Sequence, residues 1–146
     1  MPFHLTRAQF DQIVAQARAE APLECCGLIG GRGERALKAY PARNADQSRV
    51  HYTIDPRDML NATRDIEDVQ GWDISAFYHS HPRSDAYPSP TDVREAVESG
   101  YSEYSRFIIV SLMDPDRPVM RCFWLRGGAI SEEPLIVIDP ADDEGT

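Results

Sequence analysis

The sequence predicts an α/β fold: a mixed sheet of about six to eight strands with helices packed against it. Three observations carry this expectation. Apolar runs of strand length, such as Phe107-Ile108-Ile109-Val110-Ser111-Leu112, alternate with segments whose apolar residues recur at helical spacing. Those helical segments open on capping residues, Thr6, Asp55 and Ser89. The chain has 146 residues, enough for one sizeable core. Residues 1–139 are expected to form a single domain, and the acidic end, 140–146, to be disordered.

The first helix starts after Thr6, and Gln9 three residues on completes a capping box. Leu5 and Phe10 occupy the two positions of a hydrophobic staple, and Phe10, Ile13, Val14 and Ala17 form one apolar face. Pro22 closes the element. Glu24-Cys25-Cys26-Gly27-Leu28-Ile29-Gly30-Gly31 is short, apolar and glycine-rich, the pattern of a buried strand running into a turn. Residues 36–40 supply a second strand and a hairpin across 30–33. After a polar loop, Val50-His51-Tyr52-Thr53-Ile54 alternates like a strand, with His51 at a surface or an edge. Asp55-Pro56 pairs an N-cap with proline at the first helical position. Met59, Leu60, Thr63, Ile66 and Val69 continue that helix, and Gly71 caps it.

Asp73-Ile74-Ser75-Ala76-Phe77-Tyr78 reads as a buried strand, followed by a third helix from Ser89 that closes near Gly100, with Val93, Ala96 and Val97 on one face. Residues 107–112 form an interior strand, 114–118 a turn and 119–125 another strand. Gly127-Gly128 then turns the chain into a final pair of strands around Ile130 and residues 135–138.

Charge and composition exclude several classes of function. There are 24 acidic against 15 basic residues, a net charge of −9, and Lys38 is the one lysine. With no basic stripe, a nucleic-acid partner is not expected. No apolar run approaches the ~20 residues that span a bilayer, and the N-terminus lacks the pattern of a signal peptide. A cytoplasmic protein without a membrane partner is the expectation. The three cysteines, Cys25, Cys26 and Cys122, do not make a secreted disulfide framework. Three reduced thiols, or one bond between Cys122 and a member of the pair, are both open.

The chain is organised around FYHSHPRSDAYPSPTD, residues 77–92. On a strand, residues two apart share a face, so His79 and His81 stand side by side about 6.5–7 Å apart while Ser80 points away. Two imidazoles can converge on one metal from that spacing. Asp92 lies in the first turn of the third helix, and the proline-spaced loop before it can return it to the strand end. Two histidines and one carboxylate leave one position of a tetrahedral ion open, which is the pattern of a catalytic rather than a structural zinc site. The alternative is two strand histidines satisfied by hydrogen bonds, with Ser89 and Asp92 as a capping box.

Glu24 before Cys26-Gly27-Leu28, then His79-Ser80-His81-Pro82, then Ser89-Pro90-Thr91-Asp92 together resemble the JAMM (MPN-type) metallopeptidases in their compact prokaryotic form. The resemblance runs from residue 1 to about 138 in order of elements, and the doubled cysteine is a small variation on it. It implies a curved mixed sheet flanked by helices, like that of cytidine deaminases. It implies one catalytic Zn²⁺ held by His79, His81 and Asp92, with water in the fourth position. Glu24 would hydrogen-bond that water as general base and then general acid, and Ser89 would stabilise the oxyanion. One hydroxyl rotamer is not expected to serve both as that donor and as a helix cap.

The implied reaction is hydrolysis of a peptide or isopeptide bond after the C-terminal Gly-Gly of a ubiquitin-like or sulfur-carrier protein. A non-catalytic MPN-type scaffold is the competing reading, and such relatives lose the metal ligands that are present here. The DNA-repair branch with a similar His-x-His arrangement usually has Asn where this chain has Ser80, and deaminases use a Cys-x-x-Cys pair that is missing.

Overall fold

In the computed structural model residues 2–140 are described, so the acidic end from residue 141 onward lies outside them. The elements are β1 (Phe3–Thr6), α1 (Arg7–Glu20), β2 (Cys26–Arg32), β3 (Arg35–Ala42), α2 (Pro56–Thr63), β4 (Asp73–His81), α3 (Pro90–Ser99), β5 (Arg106–Ser111), β6 (Val119–Trp124), β7 (Ser131–Glu133) and β8 (Leu135–Ile138). All eight strands join one mixed sheet in the order β7-β6-β5-β4-β2-β3-β1-β8. β7 and β8 stand at opposite ends of that order yet are separated in sequence by Pro134 alone. The two edges must therefore meet, and the sheet curls until it is nearly closed. The expected final pair of strands is thus corrected. β7 pairs with β6 and β8 with β1, because the chain leaves one edge of the curl and enters the other.

Two apolar clusters fill the two faces. Ile13, Val14 and Ala17 of α1 pack with Ile29, Ala76, Tyr78, Ile108 and Val110. Ala62 of α2, Ile66 and Ala96 of α3 pack with Leu28, Phe77, Phe107, Ile109 and Phe123 on the other side. Residues 76 and 78 of β4 face α1, and 77 faces α2 and α3, as the period of two requires. A register shift between Ile29 and Gly30 leaves Ser75 of β4 as an extra residue, which is why Ile74 shares the face of Phe77.

The capping boxes at Thr6–Gln9 and Ser89–Asp92 form in full, and Asp55 caps α2 with Pro56 following. β1 was not legible: Phe3 and Leu5 are wholly buried, but four residues are too short a run to show a period. The helix expected to continue to Val69 widens into a π-helical segment, Arg64–Val69. That widening keeps Ile66 in the core while Leu60 and Val69 face outward. Val97, expected on the inner face of α3, is exposed as well.

The strand expected at 50–54 is a correction too. One bridge, Asn44 to Ile54, is all that forms. The cause is the buried Asn44 side chain, whose Oδ1 accepts from the backbone N–H of Asp46 and Thr53 and whose Nδ2 donates to the carbonyls of His51 and Glu24. It takes up backbone groups that a ladder partner would otherwise satisfy. The cysteines are three free, buried thiols, so the disulfide left open above is not formed. Burial pushes Cys25 and Cys122 up to about 12, which keeps both uncharged.

Candidate metal centre

The site is built at the carboxyl end of β4. Alternation turns His79 and His81 toward α3, and both are almost fully buried. The loop after His81 leads to Ser89, whose capping box fixes the first turn of α3 and with it Asp92. His79 Nε2 and His81 Nε2 lie 3.1 Å apart, and Asp92 Oδ2 lies 3.2 Å from the first and 3.1 Å from the second. These three atoms make a nearly equilateral triangle. Its edges are close to the ~3.3 Å between ligand atoms of a tetrahedral ion with bonds of ~2.0–2.1 Å. His81 Nδ1 meets the Asp85 carbonyl at 2.8 Å, an acceptor that demands N–H there and leaves Nε2 for the metal. Among the described residues, His79, His81 and Asp92 are the one group of three such side chains that could hold an ion.

Burial keeps the His79 imidazole from charging and lowers its pKa, the form a metal requires. Burial also opposes charge on His81, but Asp92 and the Asp85 carbonyl outweigh it and raise its pKa. Asp92 is partly buried, which opposes its charge, yet the two histidines hold its carboxyl far below the usual range. Tyr52 stacks on His79 with ring centroids 4.4 Å apart and covers the outer side of the ring.

Glu24 sits beside the triad at the mouth of β2 and is 4 % exposed. Its backbone is strapped on both sides: the N–H donates to Ser48 O at 2.8 Å, and the carbonyl accepts from Asn44 Nδ2 at 3.1 Å. Its Oε1 is buried without a partner in the protein. Burial pushes the carboxyl up to about 7, with His81 pulling the other way. A buried, unpartnered carboxylate oxygen on a residue that shares a cavity with His81 and Ser89 is what a bound water would satisfy. The donor set and its geometry therefore fit a zinc ion.

Ser80, the residue between the histidines, points to the opposite face as expected. Its Oγ accepts the Cys25 N–H at 2.7 Å, and its own N–H donates to Cys25 O at 3.1 Å. This clamp ties the residue after Glu24 to the residue between the ligands. Ser80→Ala leaves the buried Cys25 N–H unpaired, so a loss of ~1–3 kcal/mol of unfolding free energy is expected in urea titration. Two residues along, Gly27 lies across from Tyr78, and a Cβ there would collide with the phenol ring. Tyr78 can thus reach Gln16 of α1 at 2.5 Å, which in turn holds Cys26 O at 2.9 Å.

Ser89 takes the capping role expected of it. As cap, Oγ accepts the Asp92 N–H at 3.0 Å through a lone pair. The hydroxyl hydrogen remains free to donate. All five residues singled out in the sequence thus converge, with Glu24, His81 and Ser89 lining one cavity of about 400 Å³. Asn44 and Tyr52 were missed, since their partners are distant in sequence. His51, expected at a surface or an edge, is half-buried between Glu95 and Asp46, whose hydrogen bonds and charges raise its pKa.

The model of the Prok-JAB family, prokaryotic homologs of the JAB domain, matches residues 6–126. The chain belongs to this family. It is 35 % identical over 129 residues to the CysO-cysteine peptidase of Mycobacterium tuberculosis, covering 87 % of this chain and 85 % of that protein. It is 39 % identical over 98 residues to a desampylase of Haloferax volcanii, covering 62 % and 70 %. The solution structure of a Desulfitobacterium hafniense protein superposes with a TM-score of 0.80 at 35 % identity over 94 % of this chain and 93 % of that one. The Prok-JAB fold accounts for the curved sheet. A wider cavity of about 850 Å³, with Ser75, Arg106 and Trp124 in its wall, lies at the other end of β4 and holds none of the five site residues.

Proposed function

We propose that this Prok-JAB protein is a zinc-dependent peptidase that hydrolyses the bond after the C-terminal Gly-Gly of a ubiquitin-like or sulfur-carrier protein. The observation that carries the chemistry is the triad of His79, His81 and Asp92 together with the buried, unpartnered Oε1 of Glu24, which lines one cavity with His81. The two relatives named above, a CysO-cysteine peptidase and a desampylase, support the reaction and substrate class. His79, His81 and Asp92 would hold Zn²⁺, which would supply Lewis acidity for activating water.

The chain's own groups do the rest. Glu24 accepts the proton of the attacking water and hands it to the departing nitrogen, a task suited to a carboxyl whose pKa burial has lifted toward neutrality. A bound dication would pull that value back down and favour the basic form before attack. The Ser89 hydroxyl donates to the oxygen that gains charge in the tetrahedral intermediate. The Asn44 and Ser48 contacts hold the Glu24 backbone still, so the carboxylate is placed before substrate arrives. Three buried, unbridged thiols agree with a reducing, cytoplasmic setting. No described helix is long and apolar enough to cross a membrane.

The test is a cleavage assay read by mass spectrometry. The substrate is a sulfur-carrier protein from the same genome, extended by several residues beyond Gly-Gly. Zinc-loaded protein should yield a mass loss matching one cut after the second glycine. A substrate left intact by protein with zinc confirmed would remove the Gly-Gly assignment.

A further inference from the structure

Residues 44–54 form no strand of the sheet, yet several of their groups bear on the metal centre. Asn44 Nδ2 and the Ser48 carbonyl meet the Glu24 backbone at 3.1 and 2.8 Å. Tyr52 stacks on His79 with ring centroids 4.4 Å apart. Arg49 and Val50 line the cavity that Glu24, His81 and Ser89 also line. Whatever holds this segment therefore acts on the general base, on a metal ligand and on a wall of the site.

The segment closes on itself. Asn44 Oδ1 accepts from the N–H of Asp46 and Thr53, and the Ala45 N–H donates to Thr53 O at 2.8 Å. Thr53 Oγ1 donates to Asp46 Oδ2 at 2.7 Å. At the turn Gln47 has φ +47°, a left-handed conformation that costs a residue with a side chain and persists where its surroundings hold it. The hydrogen bond that joins the segment to α3 runs through His51. Its Nδ1 meets Asp46 Oδ2 at 2.5 Å within the segment, and its Nε2 meets Glu95 Oε1 of α3 at 2.6 Å. α3 is also the helix that carries Asp92.

An ionised carboxylate accepts hydrogen bonds and donates none, so both His51 nitrogens must carry hydrogen. The charged imidazolium alone provides that. The surroundings favour the charge: the Glu95 hydrogen bond first, and Asp46 after it, raise the His51 pKa. The charged groups around His51 are Asp46 on its own segment, Glu95 on α3 and, at the mouth of β2, Glu24, whose carboxyl feels the His51 charge.

We infer that His51 is a positioning residue: as an imidazolium bridging Asp46 and Glu95, it fastens residues 44–54 to α3 and so sets Tyr52 on His79 and fixes the Glu24 backbone. It acts through Asn44, Ser48 and Tyr52 and not on the reacting atoms. Its effect on turnover rests on the peptidase reading above; its effect on the segment does not. A neutral ring would turn a lone pair toward one of the two carboxylates. The tie is therefore whole below the ordinary histidine range and is lost as pH rises through the raised value.

The experiment reads amide hydrogen exchange by NMR on zinc-loaded full-length protein, beside cleavage of the extended sulfur-carrier substrate. In His51→Gln, protection of residues 44–54 and of the Glu24 N–H, whose acceptor is Ser48 O, should fall roughly ten- to hundredfold, as for loss of a charged hydrogen bond. The N–H groups of Cys25 and Ser80, each bonded to the other residue, should keep theirs. Turnover should fall roughly tenfold or more in kcat, with KM changed less. Glu95→Gln weakens the same tie from the α3 side and should loosen the same amides. His51→Lys can donate to both carboxylates and should restore part of the protection and of the turnover. In the parent, protection of the segment should fall as pH rises past the raised His51 value, and in His51→Lys it should not. A loss of protection spread evenly through β4 would mean a general structural role and overturn the proposal. Unchanged protection of 44–54 in both His51→Gln and Glu95→Gln would overturn it, and so would local loosening with full turnover. If the parent cuts no substrate, the peptidase reading fails, and the exchange data alone decide whether His51 fastens the segment.

Discussion

His81→Ala should bring the zinc content of the purified protein from about one ion per chain to near zero after dialysis, and abolish turnover with it. The reason is geometric. Three ligand atoms 3.1–3.2 Å apart define the site, and removing one leaves a histidine and a carboxylate, too few to hold an ion against water. The variant should nevertheless fold. The two apolar clusters run through the sheet, α1, α2 and α3 without either histidine or Asp92. The metal-free variant loses the His81 hydrogen bonds to the Asp85 carbonyl and to Asp92, each ~1–3 kcal/mol. Metal analysis and far-UV circular dichroism on the same sample read both halves of the prediction. A variant that keeps its zinc would show that the triad is not the metal site. One that is unfolded at room temperature would show that the ion, or His81 itself, is part of the core. Zinc affinity of the parent should also weaken as pH falls, because His81 must give up the Nε2 proton that Asp92 favours.

What could be read in the sequence was what depends on local spacing. His79 and His81 share a face because strands have a period of two, and Asp92 sits one turn into α3 because Ser89 caps it. Those facts are fixed within a few residues of each side chain, and the two caps and the triad followed from them. The closure of the sheet did not follow. It depends on Phe3 and Leu5 finding β8, across more than 130 residues of chain, and four alternating residues carry too little pattern to announce that. Residues 50–54 misled for a related reason. They alternate as a strand would, but Asn44 satisfies their backbone groups from the side, and a single buried amide leaves no periodic trace. The same amide holds Glu24, so the misread strand at 50–54 and the missed role of Asn44 have a common cause. Ser89 shows the opposite limit. Its position was plain, but that the cap uses a lone pair of the hydroxyl and not its hydrogen is a detail of geometry that spacing does not carry.

Glu24→Gln should keep its zinc and lose roughly 10²–10⁴-fold in kcat, the range of a general acid–base residue. The substitution is close in volume and keeps a polar atom at the buried Oε1 position, so the Ser48 and Asn44 contacts to the backbone stay intact. What disappears is the ability to take a proton from water and return it to nitrogen. An amide can hydrogen-bond but does not titrate in this range. The loss should therefore fall on kcat more than on KM, since substrate contacts are untouched. Metal content, measured alongside, separates this outcome from that of His81→Ala: one variant is empty, the other loaded and slow. The pair also tests the scaffold reading, because a protein that only docks partners would be indifferent to an isosteric change at position 24. Full turnover in zinc-loaded Glu24→Gln would remove Glu24 from the chemistry. Its burial, its raised pKa and its unpartnered oxygen would then need a structural explanation, which the Ser48 and Asn44 contacts do not supply, since both touch the backbone alone.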